Sequence, residues 1–295
     1  MSISQRHHYI PKFIIRGFTN KEGKIAVFDK EKMTIDPIMK SPKQIFFEWD
    51  RNSFIIKNEK TDFVEKLYSR IENDFAPVHK RITADLEKYD LTPLDMFHLI
   101  SYIGVLYAGL PINDDLMFQI INDSKKEDFF VKILSKGTNQ EINNSYEIFE
   151  SFKDEPAFIQ SIKIMKATID YLKNKTSESL EDWKPYYSSN QTIDYHLIGD
   201  NPIIMRDSSV DNVYNSELIY PLSKHIKIFH SKGKTIKEIK PKDAVQIDTL
   251  IFIQSKKYVC GPDLDYLKTI ASHAKNYNTP NLIAHLKESL FQLFE

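Results

Sequence analysis

Between Thr92 and Pro111 the chain reads as one helix with no polar face, and that stretch constrains the fold more than any other. Thr92 followed by Pro93 is an N-cap with proline at the first helical position, where its missing N–H costs nothing. Gly109-Leu110-Pro111 ends the run. A helix that is apolar on every side has to sit in the middle of a protein, so other elements must surround it. The segment before it supplies one: Phe63, Leu67, Ile71, Phe75, Val78, Ile82 and Leu86 recur at three- and four-residue steps through about Lys88. This predicts a long amphipathic helix capped by Thr61 or Asp62, with Pro77 kinking it by removing one backbone donor. Further helices are expected at about 111–122, 126–135, 141–152, 155–174, 241–255, 262–275 and 279–293, with a polar surface loop between Lys173 and Glu181.

The remaining apolar runs are short and β-like. GKIAVFDK, entered through Gly23, and MTIDPIM flank the charged turn Lys30-Glu31-Lys32 and predict a β-hairpin. The runs Thr192–Ile198, Pro202–Met205, Glu217–Leu222 and His225–Phe229 are split by Asn, Asp, Ser and Pro and predict a small sheet. The expected class is α+β, predominantly helical with a small, largely antiparallel β-sheet. With no repeat and no linker-like tract, one domain over residues 1–295 is expected, and 19 Phe and 15 Tyr supply large side chains for its core.

Several function classes lose support at this level. The longest uncharged run, Met96 to Ile112, falls short of the roughly 20 apolar residues that span a bilayer, so no membrane partner is expected. The start, MSISQRHHYIPK, has neither the apolar stretch nor the cleavage site of a signal peptide, which points to the cytoplasm. The lone Cys260 cannot close an intramolecular disulfide or form a cysteine-rich zinc site, so a metal would have to be held by His and carboxylates. The 40 basic and 41 acidic residues nearly cancel, so a nucleic-acid partner would need a local basic face. The lysine-rich run Lys224–Lys242 is a candidate, although a solvated surface explains it as well. No GxGxxG, GxxxxGK[ST], HExxH, GxSxG, calcium-loop or CxxC motif is present. HHYIP matches the HHxxP opening of HNH nucleases, but the downstream Asn and His of that metal finger are missing.

Three constellations carry the unusual chemistry. The first is RHHYIPKFIIRGFT, where His7 and His8 point to opposite sides of a regular strand, so one histidine in a site is the safer expectation. Imidazole titrates near neutrality and serves as acid, base or metal ligand, but a buried histidine clasp is an equally good reading. The second is Gly199-Asp200-Asn201-Pro202 between two strand-like runs, with His196 just upstream; it fits a metal ligand at a strand end or an ordinary Asx turn. The third is the Glu65/Glu72 pair, seven residues apart and on nearly one helix face beside Leu67, Ile71 and Phe75.

Together, RHHYIPKFIIRGFT, AVFDK, LYSRIENDFAPV, GDNPII and YPLSKHIKIF resemble a mainly bacterial domain-of-unknown-function family, number 4238. That pattern opens with HHYxPxFxLxxF, carries an SDNPV-like turn and a PLS segment, and spans essentially the whole chain. The resemblance points to His7, His8, Tyr9, Pro11, Phe13, Phe18, Glu72, Asp200, Asn201 and Pro202, and implies no established reaction. Two departures stand out. Gly199 replaces a common Ser or Thr, and Tyr107–Pro111 replaces a segment with Gln and Arg, so if that Arg belongs to a site, this chain either lacks it or replaces it with Arg16 or Arg206.

The functional expectation is a hydrolase acting on phosphodiesters, either metal-dependent or His/carboxylate-dependent, in the manner of a nuclease or a toxin-like phage-defence effector. His7, His8, Glu72 and Asp200 are its expected catalytic set, and Arg16, His196, Asn201 and Arg206 its expected substrate-binding set. His8 and Asp200 are the candidate ligands of a divalent metal. The alternative is a non-catalytic binding or regulatory protein whose N-terminal polar cluster is structural.

Overall fold

The computed structural model describes residues 5–56, 59–84, 91–129, 132, 134–135, 137–153, 155–174, 180–187, 196–208 and 213–295. The chain opens with β1 (Arg6–His8), α1 (Lys12–Arg16), β2 (Ala26–Asp29), β3 (Thr34–Ile35), β4 (Phe47–Trp49), β5 (Phe54–Ile56) and β6 (Glu59–Thr61). A helical block follows: α2 (Phe63–Ala84), α3 (Pro93–Gly109), α4 (Asp114–Asp123), α5 (Ser145–Phe152) and α6 (Pro156–Asn174). The last part holds β7 (Trp183–Tyr187), β8 (Ile198–Gly199), β9 (Ile204–Met205), β10 (Leu218–Pro221), β11 (Ile226–His230), α7 (Pro241–Gln254), β12 (Tyr258–Gly261), α8 (Leu264–Ala274) and α9 (Pro280–Phe291). This is the predominantly helical α+β architecture expected.

The apolar helix α3 is buried along nearly its whole length, lying against α2 and α6. Its start is a reciprocal cap: Thr92 Oγ1 accepts from the Asp95 N–H, and the Asp95 carboxylate accepts from the Thr92 N–H. No single described helix is long and apolar enough to cross a membrane. α3 together with Pro111–Asp123 meets that length and composition only as a pair bent by 66°. Helix α2 runs unbroken through Pro77. The Thr61 hydroxyl accepts the Phe63 N–H at its start, and the expected stripe is buried at Phe75, Val78 and Ile82. Leu86, the last residue of that stripe, lies outside the described residues.

The strands form two four-stranded antiparallel sheets, in the orders β7-β11-β10-β9 and β3-β2-β12-β8, plus the ribbons β1-β4 and β5-β6. The first sheet is buried on both faces, and period-2 alternation decides which residue goes where. Leu218, Tyr220, Ile226 and Ile228 face the α2/α3 layer, while Ile219 and Phe229 face Ile247, Leu250 and Leu290 of α7 and α9. The hairpin expected around Lys30–Lys32 is β2-β3, with Phe28 opposite Ile35. Thr192–Tyr195, the first part of an expected strand, lies outside the described residues, and β8 is its described end.

Two helix expectations need correction. Residues 111–113 form a 3₁₀ turn before α4, because Pro111 cannot donate to the turn before it. The expected helix at 126–135 is only a 3₁₀ turn at Lys126–Phe129, followed by a bridge between Leu134 and Glu141.

Gly104 on α3 sits directly beneath the Tyr214 hydroxyl, which donates to the Ala167 carbonyl of α6 at 3.2 Å. A methyl group there would fall well inside contact distance of that hydroxyl. Gly104→Ala is expected to lower stability by about 2 kcal/mol or more, through overpacking and loss of that hydrogen bond. Thermal unfolding measures this; an unchanged midpoint would mean that Tyr214 moves aside freely.

Candidate functional site

The N-terminal ribbon, α2 and α3 enclose a cleft of about 400 Å³, solvent mouth included. Its polar lining is His8, Tyr9, Arg51, Asn52, Tyr68, Glu72 and Tyr102. They arrive from four stretches of chain: the end of β1, the bend after β4, α2 and α3. His8 ends β1, and Pro11 turns the chain into α1 immediately after it. Tyr68 and Glu72 are four residues apart and so share one face of α2. Tyr102 comes from α3 and stacks on Phe75 at 4.4 Å between centroids, its hydroxyl facing that of Tyr220. Gly109 lets α2 come close: a Cβ there would stand 3.0 Å from the Tyr68 ring.

The electrostatics of the cleft are unusual at Glu72. Burial pushes its carboxyl up to about 7, the Glu65 carboxylate adds to the shift, and Lys12 opposes it. Among the described residues Glu72 forms no hydrogen bond or ion pair. Burial lowers the His8 imidazole to about 4, helped by the Lys12 ammonium and opposed by the Pro42 and Lys43 backbone. His8 Nε2 is buried without a hydrogen-bond partner among the described residues, as are the Tyr68 hydroxyl and Asn52 Oδ1. Burial also raises the Tyr9 and Tyr68 hydroxyls well above the usual phenol range. At neutral pH the cleft therefore holds a neutral imidazole, neutral phenols and a carboxyl near its own midpoint.

A charged clamp fixes one wall. Arg51 donates to Glu48 (2.8 Å), to both oxygens of Asp114 (2.7 and 3.0 Å) and to the Gly109 carbonyl (3.0 Å), and Lys163 reaches Asp114 at 2.6 Å. The guanidinium at the end of α3 is thus Arg51. It is not Arg16, which ends α1 on the surface, nor Arg206, which is bound to Glu217 and Glu288.

Of the expected set His7, His8, Glu72 and Asp200, the geometry places only two in the cleft. His8 and Glu72 share the cleft. His7 lies on the opposite face of β1, fully buried, with Nδ1 accepting the Asn52 N–H at 2.8 Å, and Asn52 Nδ2 in turn donates to Glu65 at 2.9 Å. His7 therefore orients the loop that carries Asn52. Asp200 does not line the cleft: its carboxylate accepts the N–H groups of Lys256 (3.0 Å) and Lys257 (2.9 Å), tying the turn after β8 to the start of β12. The Asn201 carbonyl accepts from Gln254 Nε2 at 2.6 Å, so that residue also serves the turn. His196 is fully buried elsewhere, with Nδ1 3.4 Å from Asp248, whose carboxylate also accepts from Tyr266 and the Leu197 N–H. Of the two candidate metal ligands, His8 lines the cleft and Asp200 does not, and among the described residues no group of three or more His, Cys, Asp or Glu could hold a metal ion.

The profile of a family described as proteins of unknown function, DUF4238, matches residues 6–279, from the first residue of β1 to the cap of α9. The chain belongs to DUF4238. No curated protein and no solved structure matches it. Within this DUF4238 chain, the motif residues fall into two groups. His8, Tyr9 and Glu72 line the cleft, while His7, Asp200 and Asn201 bond backbone around it. Periodicity and motif in the sequence did not mark Arg51, Asn52, Tyr68 or Tyr102 as cleft residues. For Tyr68, its i, i+4 spacing to Glu72 was an available signal.

Proposed function

We propose that the cleft is an acid–base site hydrolysing phosphodiesters, with Glu72 as general acid and His8 as general base. One observation carries this reading: a carboxyl held near neutrality, unpaired among the described residues, shares a cleft with a neutral imidazole whose Nε2 has no partner among them. In this reading His8 Nε2 takes a proton from the attacking water, and Glu72 gives one to the leaving alcohol oxygen. Buried Tyr68 and Tyr9 hydroxyls are suited to donate to the phosphoryl oxygens as charge builds there. The biological setting that fits such chemistry is a cytoplasmic nuclease or defence effector, with nucleic acid as partner.

The test is incubation of purified protein with labelled RNA and DNA, with and without a chelator. Cleavage that survives chelation supports the acid–base pair. Cleavage abolished by the chelator would move the chemistry to a metal, and no cleavage of any phosphodiester would sink the reading. A second reading, a non-catalytic protein with a structural N-terminal clasp, is favoured by the backbone bonds of His7 and Asp200. It predicts that His8→Ala and Glu72→Ala change binding or stability alone.

A further inference from the structure

Outside the cleft, the β1-β4 ribbon carries a row of rings and one cation on a single face. The register pairs Arg6 with Trp49, His7 with Glu48 and His8 with Phe47. Alternation therefore puts Arg6, His8, Phe47 and Trp49 on one side and His7 and Glu48 on the other. The Arg6 guanidinium carbon lies 4.9 Å from the Phe47 ring centre and 4.8 Å from that of Trp49. Phe47 and Trp49 meet edge to face at 5.8 Å, and the His8 and Phe47 rings are 5.7 Å apart. Even beneath Arg6, Trp49 keeps 60% of its surface exposed. The row runs from solvent at Trp49 to the cleft at His8.

We propose that this face is a stacking platform for the bases of single-stranded nucleic acid, leading the strand into the cleft. The nuclease role of that cleft is the reading on which the choice of strand rests. Unstacked bases offer flat π faces to exposed rings, and phosphates need cations alongside. Arg6 and Lys12 are exposed beside the row, and Lys12 acts electrostatically on both His8 and Glu72. The neighbouring acids are already neutralised: Glu48 faces the other side and binds Arg51, and Asp50 binds Lys60 at 2.6 Å. With a net charge of only −1 across the chain, attraction to a polyanion has to be local, as it is here. A duplex, whose bases are already stacked on each other, offers this face only phosphates.

The experiment uses the full chain carrying Glu72→Gln, which prevents turnover, titrated with a labelled single strand of about 12 nucleotides. Trp49 is the exposed tryptophan and Trp183 is buried, so quenching on binding reports on the platform. Trp49→Ala is expected to weaken binding between about 5- and 150-fold with an unchanged melting temperature. Arg6→Ala is expected to weaken it and to lower the salt slope by about 0.7. Equal binding by Trp49→Ala and its parent, or equal binding of duplex and single strand, would overturn the platform. Trp49-dependent binding without any cleavage by the unmodified protein would leave the platform standing and remove the acid–base reading. Cleavage with an unchanged KM in Trp49→Ala would do the reverse.

Discussion

Glu72→Gln is expected to lower kcat/KM for phosphodiester hydrolysis by about 10²- to 10⁴-fold, because an amide of the same shape has no proton to give to the leaving group. The pH profile should be a bell. Its alkaline limb falls near 7, where Glu72 loses its proton, and its acid limb falls near 4, where His8 gains one. The variant should lose the alkaline limb from whatever activity remains. Stability should move the other way. The Glu72 carboxyl binds its proton more tightly folded than unfolded, so the fold is unpenalised below about 4.5 and loses stability as pH rises through about 7. Removing the ionisable group should therefore stabilise the protein at pH 8, on the order of 2 kcal/mol once solvent at the cleft mouth is allowed for, and change little at pH 4.5. Chemical denaturation of both proteins at the two pH values measures this. A variant equally active, or one destabilised at pH 8, would show that Glu72 is a structural residue.

Asp114→Ala is expected to be the most damaging single change in the wall of the cleft, costing about 3 kcal/mol. The reason is what it strands. Lys163 is 1% exposed and reaches Asp114 at 2.6 Å, and Arg51 makes two of its four hydrogen bonds to the same carboxylate. Removing one partner leaves buried cations without compensation, which costs far more than the pair itself contributes. Lys163→Met is the informative companion: it removes a buried charge, keeps its volume, and leaves Asp114 still bound to Arg51, so it should cost much less. Urea unfolding of the two variants tests this asymmetry. If Lys163→Met proves as damaging as Asp114→Ala, the lysine rather than the carboxylate holds the wall together.

Much of the scaffold was legible because it rests on short-range rules. The cap at Thr92–Pro93, the uninterrupted apolar run of α3 and the three- and four-residue spacing of α2 each name an element and a buried face. The cleft was legible only in part. His8 and Glu72 could be suspected because titratable side chains beside apolar stripes are uncommon. Arg51 and Asn52 lie in the bend after β4, where no periodicity marks a residue as facing inward. Asp200 was misplaced for a related reason: a carboxylate at a strand end reads the same whether it faces a cleft or caps the backbone N–H groups of another strand.

What the sequence alone determined is thus the class of fold, the central position of α3, and membership of DUF4238. Those follow from periodicity, capping and turn chemistry, which act within a few residues. Which histidine enters the cleft, which arginine stands at the end of α3, and whether Asp200 belongs to a site were decided by tertiary structure alone. Register across β1 and β4, and the packing of α2 on α3, are set by contacts between residues distant in the chain, such as His8 opposite Phe47 and Phe75 stacked on Tyr102. Burial then makes Glu72 unusual, raising a carboxyl that on an exposed helix face would be an ordinary charge.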